Sequence, residues 1–200
     1  MQTTVPALID DLRDGALRIE AIVGDLKDFA RPGGGSVRTE FSLNDAARRA
    51  ARLLAHPINK KTARFQIDLA ADVPPVKGNP QQNEQVIVNL GGNALEALPD
   101  SSRGVAISTR WEADARCVVL EVRDEGTGIA PEYLARLCDP FFTTKSGSGG
   151  TGLGLAISSE LVRAHGGRLI FESELGQGTL ARVELPPAAD VPSVRPPAPE

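Results

Sequence analysis

The 200-residue chain carries a net charge of −4, with 41% hydrophobic and 24% charged residues, the composition of an ordinary soluble protein with room for one core and an appended element. So mild an acidity gives no electrostatic reason to expect nucleic acid or an anionic membrane as partner. No apolar run reaches the roughly 20 residues of a membrane span and no secretory pattern opens the chain, so a cytoplasmic setting is expected.

Leu8, Leu12, Ile19, Ile22, Leu26 and Phe29 follow alternating three- and four-residue steps, with Gly15 at the weak place in the seam. This heptad-like stripe predicts one long helix over residues 6–31 that needs a partner helix or a second chain to cover it. Pro32 and Gly33-Gly34-Gly35-Ser36 stop it and predict a flexible joint over 33–39. Beyond that joint, Asn44 is a candidate cap for a helix to Ala55 whose inner side holds Ala46, Ala47, Ala50, Leu53 and Leu54. Phe65, Ile67 and Leu69 alternate within a strand expected over 63–70. A helix follows over about 81–98, after Pro74-Pro75 and Gly78-Asn79-Pro80. Residues 105–111 and 116–123 read as a hairpin. A short helix after Pro131 comes next, then a longer one from Leu153 to Ala164, ended by Gly166-Gly167. Residues 168–172 and 179–185 form a last hairpin around Gly176-Gln177-Gly178. Paired strands with helices between them predict an α+β fold, a two-layer α/β sandwich over residues 40–186. The proline- and alanine-rich tail from Pro186 onward, 187–200 above all, is expected to be disordered. Cys117 and Cys138, with no C-x-x-C spacing, are expected to be reduced core residues.

Five patches carry candidate chemistry. Asp124-Glu125-Gly126-Thr127-Gly128-Ile129 directly follows a strand, and Asp139-Pro140-Phe141-Phe142-Thr143-Thr144-Lys145 comes after it. Gly149-Gly150-Thr151-Gly152-Leu153-Gly154-Leu155 opens a helix, and Gly176-Gln177-Gly178-Thr179 precedes the final strand. Glycines admit an anion to backbone N–H groups, and a helix N-terminus adds a favourable dipole, so the 149–154 run is a plausible phosphate cradle. It lacks the Gly-Lys-Ser/Thr of a P-loop, and it follows a loop where a dinucleotide fingerprint would follow a strand. The fifth patch is Val88-Asn89-Leu90-Gly91-Gly92-Asn93-Ala94-Leu95-Glu96-Ala97. The four-residue spacing puts Asn89 and Asn93 on one helix face, one turn apart. Carboxamide oxygens are hard ligands that suit Mg²⁺. Gly91 and Gly92 each cost about 1 kcal/mol of helix propensity, tolerable if something approaches the helix closely.

Taken in chain order, from residues 88–97 to residues 176–179, the five patches resemble the N box, first glycine box, F box, second glycine box and terminal G-x-G-T of sensor histidine kinases. That catalytic domain, with the Bergerat fold, belongs to a superfamily shared with gyrase and a heat-shock chaperone. The stretch from Arg18 to Pro32, ending L-K-D-F-A-R-P, is similar to the second helix of the dimerisation and phosphotransfer hairpin, closest to the nitrogen-regulation and dicarboxylate-sensor branch. The resemblance implies ATP with Mg²⁺. Asp124 would accept from the adenine amino group, with Gly126, Gly128 and Ile129 passing the base and Thr179 assisting. Asn93 would ligate Mg²⁺, and Asn89 would support it or contact phosphate. Lys145 would reach phosphate oxygens, Gly150, Thr151, Gly152, Leu153 and Gly154 would line the triphosphate, Phe142 and Thr144 would also contact the nucleotide, and Phe141 and Phe142 would anchor a short lid over 146–150.

Asn89 stands where hydrolytic members of the superfamily carry glutamate, and an asparagine cannot act as a general base. The implied activity is therefore transfer to a protein histidine, catalysed with Asn89 and Lys145, for relay to a response regulator receiver domain. Glu84 and Glu96 are nearby acids without an assigned role. The family's acceptor motif, His followed by an acid, is absent: His56 precedes Pro57 and His165 precedes Gly166. The first hairpin helix is thus missing, either because the chain is a piece of a larger, homodimeric kinase or because its histidine comes from another protein. Two further readings stay open: a kinase-like module that binds ATP or a response regulator without autokinase activity, and a gyrase-like ATPase.

Overall fold

The structure is a computed structural model and describes residues 38–144 and 151–189, together with Gly15 and Gly24. The stripe expected over 6–31, the glycine joint, Lys145, Gly150 with the rest of the short lid, and the tail beyond residue 189 lie outside the described residues. Strand β1 (Thr39–Phe41) leads into α1 (Leu43–Leu53) and α2 (Ala55–Lys61). After β2 (Arg64–Leu69) and β3 (Val76–Gly78) comes the long α3 (Pro80–Ala97). The hairpin β4 (Gly104–Glu112) and β5 (Cys117–Asp124), the single turn α4 (Pro131–Leu134), α5 (Gly154–Ala164), and the hairpin β6 (Arg168–Glu174) and β7 (Gly178–Leu185) complete it.

Five strands form one sheet in the order β2-β4-β5-β7-β6, with β2 parallel to β4 and every other pair antiparallel. Period-two alternation sorts its faces. Ile107, Leu120, Val122, Ala181 and Val183 face the helices and are buried. On the other face Arg110, Glu112, Glu121, Arg182 and Glu184 form a ladder of ion pairs, with Arg110–Glu121 at 2.7 Å and Arg182–Glu184 at 2.8 Å. Such a one-sided sheet requires a helix layer. α3 supplies Val86, Ile87, Leu90, Ala94 and Leu95, and α1 adds Leu43, Ala46, Ala47 and Ala50 above them. The observed α+β two-layer sandwich is the one expected.

Several boundaries differ from the sequence reading. Ser42 is the cap of α1, its hydroxyl accepting from the Asp45 N–H at 3.3 Å. Asn44 lies inside the helix and is buried; its amide donates to Ala70 O at 2.8 Å and its oxygen accepts from the Thr109 hydroxyl, which ties α1 to the sheet. The helix breaks at Leu54 (φ −83°, ψ 0°), turning Leu53 outward at 63% exposure while Leu54 is buried. Ile67 of the edge strand β2 is also exposed. The pairing of β1 with β3 had no periodic signal, since each strand has only three residues. Pro187 and Ala188, composed like a disordered tail, instead continue this small sheet: Pro187 bridges Val76, and the Ala188 N–H donates to Pro75 O at 2.8 Å. Backbone pairing at an open strand edge overrides composition there. Both cysteines are free and half-buried, and burial pushes the Cys138 thiol up.

Candidate functional site

Where α3, the end of β5, the start of β7 and the start of α5 meet, they line a cavity of about 510 Å³, within the size range of ligand pockets. α3 begins at Asn79, whose side chain accepts from the N–H groups of Gln81 and Gln82, with Pro80 in the first turn. One face of this helix then presents Asn89, Asn93 and Ala97 to the cavity, each four residues from the last. The Asn89 amide donates to Gly154 O and to the Ser158 hydroxyl, both at 3.3 Å. It is thereby locked against α5, and its carboxamide, unlike a carboxylate, cannot serve as a general base. Asn93, one turn on, is exposed to the opening.

β5 ends in Asp124, on the same face as Leu120 and Val122 and only 6% exposed. Its Oδ1 accepts from Gly126 N at 2.8 Å and from Thr179 N at 3.2 Å. Alternation turns Glu125 away from the cavity; it accepts from Gly104 N and pairs with Arg64 at 2.9 Å, which together hold its carboxyl below the usual carboxylate range. Of the two consecutive acids, only Asp124 serves the cavity. Gly178 is required at the next position of the wall: its φ is +96°, and a methyl there would overlap the Asp124 carbonyl oxygen.

The lower rim is the F box. Phe142 lines the cavity, its ring 5.8 Å from that of Tyr133 and under the Arg136 guanidinium at 4.5 Å. Phe141 differs: it is 68% exposed with φ +66°, and its contribution is its backbone N–H, which donates to Gly152 O at 2.9 Å. This bond joins the F box to the second glycine box. The N-terminus of α5 then opens on the cavity at Gly154, beside Thr151 and Gly152.

The structure thus brings Asn89, Asn93, Asp124, Gly128, Ile129, Phe142, Thr144, Thr151, Gly152, Gly154 and Thr179 around one cavity. Two residues expected there do not line it. The Leu153 side chain is 1% exposed in the core, at the N-cap of α5. Gly126 packs behind the wall, against Ala97 and Asp124. The close approach expected at Gly91 is real but comes from Leu54 on the opposite side of α3, and Gly92 faces open space. Glu84 pairs with Arg49 at 2.8 Å outside the cavity, whereas Glu96 lines it. Sequence reasoning missed the apolar wall of Leu90, Ala94, Val122, Leu137 and Phe171; only Ala97, in step with Asn89 and Asn93, carried a signal.

Among the described residues no cluster of three His, Cys, Asp or Glu could hold a metal, and no helix is long and apolar enough to cross a membrane. His165 is buried at the end of α5, with Nδ1 at 2.7 Å from Leu161 O and Nε2 accepting from Asn79 N at 2.9 Å. The imidazole is a structural link between α5 and the cap of α3.

Comparison with known proteins agrees with this geometry. Residues 78–189 match the family described as histidine kinase-, DNA gyrase B-, and HSP90-like ATPase. The chain is 36% identical over 169 residues to sporulation kinase E of Bacillus subtilis, covering 84% of this chain and 22% of that protein. It is 38% identical over 156 residues to the C4-dicarboxylate transport sensor protein DctB of Rhizobium meliloti, covering 78% of this chain and 24% of that one. It therefore spans about a quarter of the length of such relatives. Among solved structures it resembles full-length ShkA in complex with AMPPNP (TM-score 0.77, 27% identity, 98% of this chain and 42% of that one). It also resembles histidine kinase ThkA in complex with the response regulator TrrA (TM-score 0.73, 25% identity, 98% and 54%). The cavity, the two-layer fold and these matches agree: the chain belongs to the histidine kinase-, DNA gyrase B-, and HSP90-like ATPase family.

Proposed function

We propose that this chain is the ATP-binding catalytic domain of a sensor histidine kinase, holding ATP so that its terminal phosphate goes to a histidine on a hairpin helix and from there to a response regulator receiver domain. The observation that carries the reading is the convergence on one cavity of a buried carboxylate, two asparagines on one helix face and a glycine-opened helix N-terminus. Asp124, held by two backbone donors, supplies an acceptor for an exocyclic amino group. The apolar wall suits a flat base. The N–H groups at the start of α5 suit phosphate oxygens. Lys145 belongs to the same proposal as a cation for those oxygens.

The donor set fits Mg²⁺: Asn93 offers one hard oxygen, and a Mg²⁺ ion keeps waters and takes its remaining ligands from phosphates, without an all-protein cage. When bound, the ion would neutralise phosphate charge. Asn89, its amide nitrogen engaged by Gly154 and Ser158, positions this end of the cavity without activating water, which favours transfer over hydrolysis. The likeness to ThkA in its complex with TrrA supports a receiver domain as partner, and the likeness to DctB supports the dicarboxylate-sensor branch. A homodimer joined through the apolar stripe of residues 6–31, which the sequence predicts to be helical, and a cytoplasmic setting complete the proposal.

Calorimetric titration with ATP, with and without Mg²⁺, tests the site. Asn93→Ala should keep the fold and lose most of the Mg²⁺-dependent part of the affinity. If both titrations respond alike, Asn93 is not the ligand.

A further inference from the structure

One hydroxyl pair, beside Asp124 at the wall of the cavity, has hydrogen positions fixed by its neighbours. Ser173 on β6 lies across the ladder from Thr179 on β7, and their hydroxyl oxygens are 2.9 Å apart. A serine hydroxyl has one hydrogen and two lone pairs. The Ser173 oxygen is 2.8 Å from the carbonyl oxygen of Gly178, which can only accept. It is also 2.8 Å from the N–H of Ile129, which can only donate. The one Ser173 hydrogen is therefore committed to Gly178, and one lone pair to Ile129. Only a lone pair is left for Thr179, so the hydrogen between the two oxygens comes from Thr179. Thr179 lines the cavity and is the strand partner of Asp124. With its hydrogen used, it turns only lone pairs toward a ligand, beside a carboxylate that is likewise acceptor-only when ionised.

We infer that Ser173, acting through Thr179, sets the selectivity of the cavity for a purine with an amino group at ring position six over one with an oxo group there. An amino group offers hydrogens to two acceptors. A 6-oxo group faces them with lone pairs of its own, and a buried polar group without a partner is strongly disfavoured. Ser173 is a positioning residue in this scheme and does not touch the nucleotide. The inference rests on the nucleotide-binding reading above and adds to it the group that fixes the direction of the hydrogen bonds. The competing role is purely mechanical: Ser173 ties the loop at Ile129 to the β6–β7 hairpin, and its loss would then weaken all nucleotides equally.

The experiment measures dissociation constants of the full chain for ATP and for inosine triphosphate, the 6-oxo analogue, both with Mg²⁺. The parent chain should prefer ATP. Ser173→Ala frees the Thr179 hydrogen to turn toward an oxo group, so the preference should shrink roughly tenfold. Ser173→Thr, which keeps the hydroxyl, should restore the parent ratio, and Ser173→Ala should change nothing further in a Thr179→Val background. If Ser173→Ala weakens both nucleotides by the same factor, the role is mechanical and the inference is overturned. Should Ser173→Ala fail to fold, Thr179→Val reads the same hydroxyl: a smaller preference supports the inference and an unchanged one overturns it. A parent chain that binds both nucleotides equally overturns the inference alone, whereas one that binds neither overturns the ATP reading beneath it.

Discussion

Replacing Asp124 by asparagine removes one charge and exchanges one oxygen for an NH₂ group without changing the side chain's size. The two backbone donors that hold the carboxylate, Gly126 N at 2.8 Å and Thr179 N at 3.2 Å, both address Oδ1. An asparagine satisfies them by keeping its oxygen there, so the end of β5 and the start of β7 stay joined. Its NH₂ group then stands where the second carboxylate oxygen stood, and a donor faces the amino group of the base. The loss is a hydrogen bond to a charged group, roughly 1.5–3 kcal/mol, which corresponds to about a 10- to 150-fold rise in Kd. With Asp124 6% exposed, water can do little to bridge the mismatch, which puts the expectation toward the upper end. Isothermal titration with ATP gives the affinity, and a thermal melt without nucleotide shows whether the fold is kept. An unchanged Kd in a folded Asp124→Asn chain would refute the assignment of Asp124 to the base.

Gly178→Ala should unfold the β6–β7 end or lower its melting temperature clearly, because φ is +96° and the new methyl meets the Asp124 carbonyl; left-handed backbone alone costs about 1–2 kcal/mol, and a melt within a degree of the parent would contradict this. Acid should destabilise the sheet's outer face. The Arg110 bond to Glu121 and the Arg182 bond to Glu112 hold these carboxyls below the ordinary value of 4.5. Folded values below unfolded ones give stability that is full above pH 4.5 and lost as pH falls through the lower folded values. Urea denaturation across that range should show the decline, and Glu121→Gln should flatten it; stability that rises on acidification would contradict the ion-pair reading.

How legible the molecule was depended on the reach of each signal. α3 and the β4–β5 hairpin were readable because periodicity runs over many residues, 18 in α3. The N-terminus of α1 was misplaced by two residues, since Ser42 and Asn44 are both good caps and only the partners Ala70 and Thr109, distant in sequence, show that Asn44 belongs to the core. The polar side of the site was legible because its residue types interrupt apolar runs. The wall of Leu137, Phe171 and Val122 was not: a hydrophobic residue that lines a cavity looks like one that fills a core. Tyr133 and Arg136, packed on Phe142, were hidden for a related reason, as they meet it across a loop without any fixed period.

The proposed kinase activity requires a histidine supplied by a hairpin helix. The chain has two histidines, neither in an acceptor motif, and His165 has both ring nitrogens engaged. Incubation with ATP labelled at the terminal phosphate, alone and after fusing an upstream helix that bears the His-acid motif, measures that transfer. The chain alone should remain unlabelled and release phosphate slowly, since Asn89 supplies no base. The fused protein should gain an acid-labile, base-stable label, because alignment of histidine and phosphate then contributes the rate gain of positioning. Efficient labelling of the unmodified chain at His56 or His165, or rapid phosphate release without any transfer, would contradict the account.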